Sequence, residues 1–264
     1  MMENLEKTYY PVYVVGTGPG DPDLLTVKAK KLIEEADVVL YDCLPATYVT
    51  NVATNAEVIF LNKHPDQGEE KVDILPVIER LHREGKKVVR LKAGDAMMFN
   101  GGDVEARFFK ENGIPFELIP GITAACAASN IFAIPTTEIH KSNAIVHLIA
   151  FDIPDNYAHI RQVARLLEFG TTVALYMAYD NLKEIFRVFQ EEGVPKNIPV
   201  MIASMISLTQ EDAAKATMET VFEIIEKRQM VSPFIFFVGQ YVDMYAEGKG
   251  MKEHLEKFME QKGK

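Results

Sequence analysis

The sequence predicts an α/β protein whose first half forms a parallel, doubly wound sheet. Three observations predict it. Short apolar runs, often β-branched, recur at 12–15, 38–41, 58–61, 88–91 and 116–119, as strands buried on both faces require. Helix-like stretches at 24–35, 69–84 and 103–111 fall between them, the order expected of parallel strands joined by crossovers. A glycine-rich turn, Gly16-Thr17-Gly18-Pro19-Gly20-Asp21, links the first strand to the first helix, where open parallel sheets hold their ligands.

Taken in order, the first strand runs from 12 to 15 and opens into that turn, whose glycines let a ligand approach the backbone. The third glycine comes too early for a dinucleotide fingerprint, Pro19 stiffens the turn, and no Lys-Ser/Thr pair closes it as in a phosphate loop. By itself it reads equally well as a structural turn. The strand at 38–41 delivers Asp42-Cys43-Leu44-Pro45, and the strand at 58–61 delivers Asn62-Lys63-His64. Helices 69–84 and 103–111 end before Gly85 and Gly113, as C-terminal caps often do. The strand at 88–91 delivers residues 93–95. Loops that follow parallel strands gather on one side of the sheet, so these segments converge on one crevice.

Pro120-Gly121 punctuates the chain after 116–119 and sets the expected division into domains 1–119 and 120–264. The small residues from Thr123 to Ser129 suit a closely packed helix. Beyond it, strands are expected at 144–150, 172–176, 200–204 and 234–238, with helices at 160–168, 182–192 and 219–227. Asp180 is placed to cap the second of these helices, and a charged, peripheral helix is expected from 251 onward.

Composition narrows the function. No apolar run approaches the roughly 20 residues of a membrane span, and the charged start of the chain lacks a signal-peptide core, so a cytoplasmic setting is expected. Cys43 and Cys126 are expected to stay reduced, and no His or Cys spacing forms a metal site. The net charge of −10 argues against a nucleic-acid partner. A ligand rich in carboxylates would need a local basic surface, for which Lys63, His64, Arg90, Lys92, Arg107 and Lys141 are the candidates, Lys110 reading as solvated.

Four segments in sequence carry a resemblance: the loop 16–21 with Asp23-Leu24-Leu25-Thr26-Val27-Lys28-Ala29, then residues 36–42, residues 88–95, and Ile119-Pro120-Gly121-Ile122-Thr123-Ala124-Ala125. With Leu175-Tyr176-Met177-Ala178 and 234–239, they resemble the tetrapyrrole methylases, most of all the members that methylate uroporphyrinogen III, over nearly the whole chain. The resemblance implies two α/β domains, a parallel one and a mixed-sheet one, with S-adenosylmethionine folded between them and S-adenosylhomocysteine released. It implies methylation of tetrapyrrole carbons, with uroporphyrinogen III to precorrin-2 as the leading expectation. A later precorrin or cobalt-precorrin is the alternative, a macromolecule methylase of the same fold a more distant one, and a homodimer is expected.

By motif match, Pro19, Ala93, Gly94, Asp95, Met98, Thr123, Ala124, Met177 and Ile206 would line the cofactor site, Asp42 would accept a proton and Lys63 would donate one. From the residues alone, Asp42 reads as a turn aspartate, Lys63 as a surface lysine and Met177 as a core methionine. The departures from the family pattern cluster near the substrate. The loop Phe99-Asn100-Gly101-Gly102-Asp103-Val104-Glu105 lacks the arginine usual there, Thr136-Thr137-Glu138-Ile139 replaces a basic stretch, and Ile206-Ser207 falls near a Gly-Thr pair.

Overall fold

The computed structural model describes residues 9–43, 46, 49–53, 55–61, 73–150 and 157–244. Lys63, His64 and the expected helix from 251 lie outside them. The chain divides into two compact units, Met1–Thr123 and Ala124–Lys264.

In the first unit, strands β1 (Val12–Gly16), β2 (Val38–Tyr41), β3 (Glu57–Phe60), β4 (Val88–Lys92) and β5 (Phe116–Ile119) form one sheet in the order β3-β2-β4-β1-β5. All its pairings are parallel. Helix α1 (Val27–Glu34) starts at Thr26, whose hydroxyl accepts from the Ala29 N–H at 3.2 Å. It packs with Val15, Val39, Val89 and Leu91 on one face. Helices α2 (Ile74–Arg83) and α3 (Gly102–Glu111) supply Ile78, Leu81 and Phe109 to the opposite face, against Val12, Val14, Leu40 and Val88. The alternation Val12/Val14 against Val15 is the period-2 pleat of a strand buried on both sides. Gly85 and Gly113 take left-handed φ of 84° and 64° just past α2 and α3, as their sequence position anticipates.

In the second unit, α4 (Ala124–Ile131) buries Ala125, Ala127 and Ala128. Strands β6 (Ile145–Ile149), β7 (Thr172–Tyr176), β8 (Pro199–Ser204), β9 (Asp212–Thr217) and β10 (Phe234–Val238) form a mixed sheet ordered β6-β7-β10-β8-β9. Only β6 and β7 pair in parallel. Its core faces α5 (Ala158–Glu168), α6 (Leu182–Glu191) and α7 (Val221–Arg228) through Ile160, Leu167, Leu182, Phe186, Phe189 and Val221. Strand β9 is not expected from the sequence. Its Asp-Ala-Ala-Lys-Ala-Thr composition has low strand propensity, and it is held by pairing with β8, from Ser204↔Asp212 to Pro199↔Thr217. Asp180 does not cap α6. The cap position is Asn181, which makes no capping bond and instead donates its amide to the Ala150 carbonyl at 2.8 Å.

Candidate active site

The C-terminal ends of β1, β2 and β4 bring Gly16 to Asp21, Asp42 and residues 93–95 to one edge of the first sheet, as expected from a parallel sheet. Backbone contact holds the loops together. Gly18 N–H donates to the Gly94 carbonyl at 3.1 Å, and Gly94 N–H returns a bond to Gly18 at 2.7 Å. Thr17 anchors to the Lys92 carbonyl through both its N–H, at 2.8 Å, and its hydroxyl, at 3.0 Å. The exit from β5 joins the same knot, because Gly121 lies so close to Gly16 and Gly94 that a Cβ there would fall 2.1 Å from the Gly94 oxygen.

Asp95 closes this knot. One carboxylate oxygen accepts from Gly121 N–H at 3.0 Å and the other from Met97 N–H at 2.9 Å. A carboxylate has roughly four acceptor positions, so Asp95 retains capacity for a ligand beyond these bonds. Asn100 donates its amide to the carbonyls of Ala93 and Asp95, the second at 3.3 Å. This side chain is spent on fastening its own loop. Pro19 is buried, Met98 half-buried, and Thr123 follows the Gly121 contact.

Arg90 and Lys92 do not form the basic surface expected from the sequence. Two residues apart on β4, they share a face with Val88, the face covered by α3, and Glu105 of α3 meets them there. Arg90 is 1% exposed and Lys92 6%. Glu105 Oε1 accepts from Lys92 Nζ at 2.8 Å and Arg90 Nε at 3.2 Å, while Arg90 Nη2 reaches Asp42 at 2.6 Å. Burying two such cations without partners is prohibitive, so their charge is consumed inside the fold. The signal is present in the sequence: two basic residues on one face of an otherwise apolar strand demand a buried acid. Lys141 is likewise paired with Glu138 at 2.6 Å, and Arg107 lies 3.8 Å from Asp103.

Asp42 is the half-exposed end of this network. Burial pushes its carboxyl up, but the hydrogen bond and charge of Arg90, with the charge of Lys92 added, outweigh burial and hold it below the usual carboxylate range. Burial pushes the neighbouring Cys43 thiol up, so Cys43 does not present itself as a thiolate nucleophile. A cavity of about 600 Å³ opens here, lined by Asp42, Asp73, Arg90, Lys92 and Glu105 and by the apolar Ile74, Leu75 and Val104.

In the second unit, Met177 and Ile206 follow the ends of β7 and β8, which run in the same direction. Met177 is half exposed and takes a left-handed φ of 49°. Ile206 is buried, between Met205 at φ 47° and Ser207 at φ 60°. At the end of β8 the buried Ser204 hydroxyl has no hydrogen-bond partner among the described residues. Ala124 begins α4. Neither the strained backbone nor the orphaned hydroxyl has a signature in the sequence.

The sequence profile of the tetrapyrrole (corrin/porphyrin) methylases matches residues 11–221. The chain is 33% identical over 249 residues to the uroporphyrinogen-III C-methyltransferase of Bacillus subtilis, covering 93% of this chain and 96% of that protein. It is 36% identical over 233 residues to the siroheme synthase of Methylobacillus flagellatus, of which it spans 50% of the length. Among solved structures, uroporphyrin-III C-methyl transferase from Thermus thermophilus, complexed with S-adenyl homocysteine, is 29% identical with a TM-score of 0.71, over 88% of this chain and 98% of that one. A cobalt precorrin-4 methyltransferase shares the fold at 24% identity with a TM-score of 0.75, over 86% and 94% of the two chains.

Proposed function

This chain belongs to the tetrapyrrole (corrin/porphyrin) methylases, and on that premise we propose that it transfers methyl groups from S-adenosylmethionine to ring carbons of uroporphyrinogen III, giving precorrin-2. One observation carries the reading: the match to the Bacillus subtilis methyltransferase runs nearly end to end in both chains. The chain spans 96% of the length of that methyltransferase and about half the length of the siroheme synthase of Methylobacillus flagellatus.

The residues assigned to the cofactor fit such a group. In the first unit Gly94 presents its backbone with no side chain and Asp95 keeps acceptor positions; in the second Met177 stands half exposed and, two strands away at the end of β8, the Ser204 hydroxyl has no partner among the described residues. S-adenosylmethionine, when bound, would supply an electrophilic methyl on sulfur. In-line transfer to carbon asks the protein chiefly for positioning and for proton handling. Methylation leaves a cationic macrocycle that must lose a proton. Asp42, kept ionised by Arg90, is a weak base, suited to taking a proton from such a cation and poorly suited to deprotonating a neutral pyrrole. Lys63 is the proposed donor and lies outside the described residues.

The test is anaerobic incubation with S-adenosylmethionine and uroporphyrinogen III, read by mass spectrometry, with two methyl groups expected. Asp42→Ala is expected to abolish turnover and leave S-adenosylhomocysteine binding intact by calorimetry; undiminished turnover would remove the assigned role. A second reading, a later precorrin as substrate, is favoured by one observation, a loop 99–105 that lacks the usual arginine and is fastened to itself through Asn100. Cofactor binding without methylation of uroporphyrinogen III would select it. The same reading carries a homodimer, to be checked by sedimentation equilibrium, and a cytoplasmic setting, to be checked by fractionation. Among the described residues no helix is long and apolar enough to cross a membrane.

A further inference from the structure

Strand β7 leaves its partner β6 one hydrogen bond short. In a parallel pair a residue donates its N–H to one carbonyl of the partner strand and accepts, at its own carbonyl, from the N–H two residues further along. Ala150 donates to the Tyr176 carbonyl at 2.9 Å, one step beyond the Ile149↔Tyr176 pairing. The next rung would join the Ala178 N–H to the Ala150 carbonyl. That rung is absent among the described residues, because Met177 takes a left-handed φ of 49° and turns the chain out of the strand. The Ala150 carbonyl accepts the side-chain amide of Asn181 in its place, at 2.8 Å. Asn181 thus supplies from its side chain the donor that the backbone withdrew.

The bend of residues 177–180 is pinned at its entry, its exit and its inner side. It enters from Tyr176, inside the β6–β7 ladder. It leaves through Asn181, whose N–H also donates to the Ala178 carbonyl at 3.0 Å. Asn181 leads directly into α6, which Leu182, Phe186 and Phe189 root in the core. Ala178 is buried, and the Tyr179 ring packs on Phe234 with 5.0 Å between centroids. Met177 has neither anchor and stands half exposed. A side chain held at such a φ persists only where its surroundings over-determine it. An asparagine at a helix start ordinarily turns back to cap its own first turn; Asn181 makes no such bond and ties the bend to β6.

We infer that Asn181 is a positioning residue for the cofactor: its amide holds the 177–180 bend against β6 and so aims Met177 at S-adenosylmethionine. The inference rests on the assignment of Met177 to the cofactor made above. Asn181 acts through Met177, by fixing in advance a conformation that binding would otherwise have to select.

The test is calorimetry of S-adenosylhomocysteine binding to wild type, Asn181→Asp, Met177→Ala and the double variant, with the melting temperature of each. Aspartate has the shape of asparagine and caps helices as well, but its carboxylate has no N–H to offer Ala150. Asn181→Asp is therefore expected to melt close to wild type and to bind roughly fivefold more weakly, the scale of one neutral hydrogen bond. Asn181→Ala, which adds no charge, is expected to show the same drop in affinity with a lower melting temperature. Met177→Ala keeps the backbone strain and removes the contact, so in that background Asn181→Asp is expected to weaken binding no further. A role in the fold alone would not give this dependence on Met177. Equal losses with and without Met177, or unchanged affinity in both Asn181 variants, would overturn the inference and leave the Met177 assignment standing. Wild-type affinity in Met177→Ala would overturn it by removing Met177 from the cofactor site. Wild-type protein that binds no S-adenosylhomocysteine would bring down the methyl-transfer reading and the inference with it.

Discussion

The two sheets of this protein end in opposite ways. At the C-terminal edge of the first, β1, β4 and β5 run into Gly16, Gly94 and Gly121, which have no side chains and touch backbone to backbone. At the corresponding edge of the second, β7 and β8 run into Met177, Met205 and Ser207, which keep their side chains and accept left-handed φ of 49°, 47° and 60°. The first edge avoids strain by deleting atoms. The second carries strain of about 1 kcal/mol per residue, and such strain persists where the surrounding structure over-determines it, often at functional positions. The first edge is therefore a clamp whose shape matters, and the second a surface on which side-chain identity matters.

The largest effect should come from the charge network beside the clamp. Glu105→Ala leaves Lys92 buried without its acid and Arg90 with only Asp42, and a loss of roughly 3–5 kcal/mol is expected, measured by urea denaturation. A loss below about 1 kcal/mol would mean that water reaches the cluster. Gly121→Ala comes next. Its new Cβ would sit 2.6 Å from the Gly16 carbonyl carbon as well as against Gly94, and backbone cannot swing aside as a side chain does. About 3 kcal/mol of destabilisation is expected. A melting temperature equal to wild type would show that the three strand exits do not touch.

That contrast also explains what is legible in the sequence. The first edge can be read because its solution is compositional: glycine at a strand end is visible as glycine, and parallel topology then gathers the loops. Strands 38–41, 116–119, 172–176 and 234–238 are readable to the residue because buried strands are apolar along most of their length. Three features have no such signal. β9 borrows its conformation from β8, the strain at Met177, Met205 and Ser207 sits on ordinary residues, and Ser204 becomes an orphan only once the sheet is assembled. Arg90 and Lys92 mislead for another reason. Counting charge as surface overlooks their place inside an apolar strand of period 2, which already puts them on a buried face.

A smaller effect separates Asp42 from the buried part of its network. The Asp42 carboxyl titrates lower in the folded protein than in the unfolded chain, so it contributes stability above its unfolded pKa and loses that contribution as pH falls through its folded value. With its side chain 42% exposed, solvent screening limits the contribution to no more than about 1 kcal/mol. Asp42→Asn should thus be less stable than wild type at neutral pH, and the gap should close as pH falls from about 5 toward 3, read from denaturation midpoints. A gap that widens on acidification would mean that Arg90 does not hold the carboxylate.

The smallest effect, and the one that bears most directly on the second edge, is expected from Met177→Gly. Met177 is 52% exposed, so removing its side chain forfeits little buried surface, while glycine accepts φ 49° without strain. The greater freedom of glycine in the unfolded chain takes back part of the gain, leaving a stabilisation of up to about 1 kcal/mol. Met205→Gly offers the matched control. It relieves the same strain, but Met205 is 8% exposed, and the lost packing of about 2 kcal/mol or more should make that variant less stable than wild type. If Met177 is strained because it meets the cofactor, Met177→Gly should raise the melting temperature and weaken S-adenosylhomocysteine binding together. A rise in stability with unchanged affinity would leave the strain at the second edge without a ligand to explain it, and would reduce the difference between the two edges to local backbone geometry.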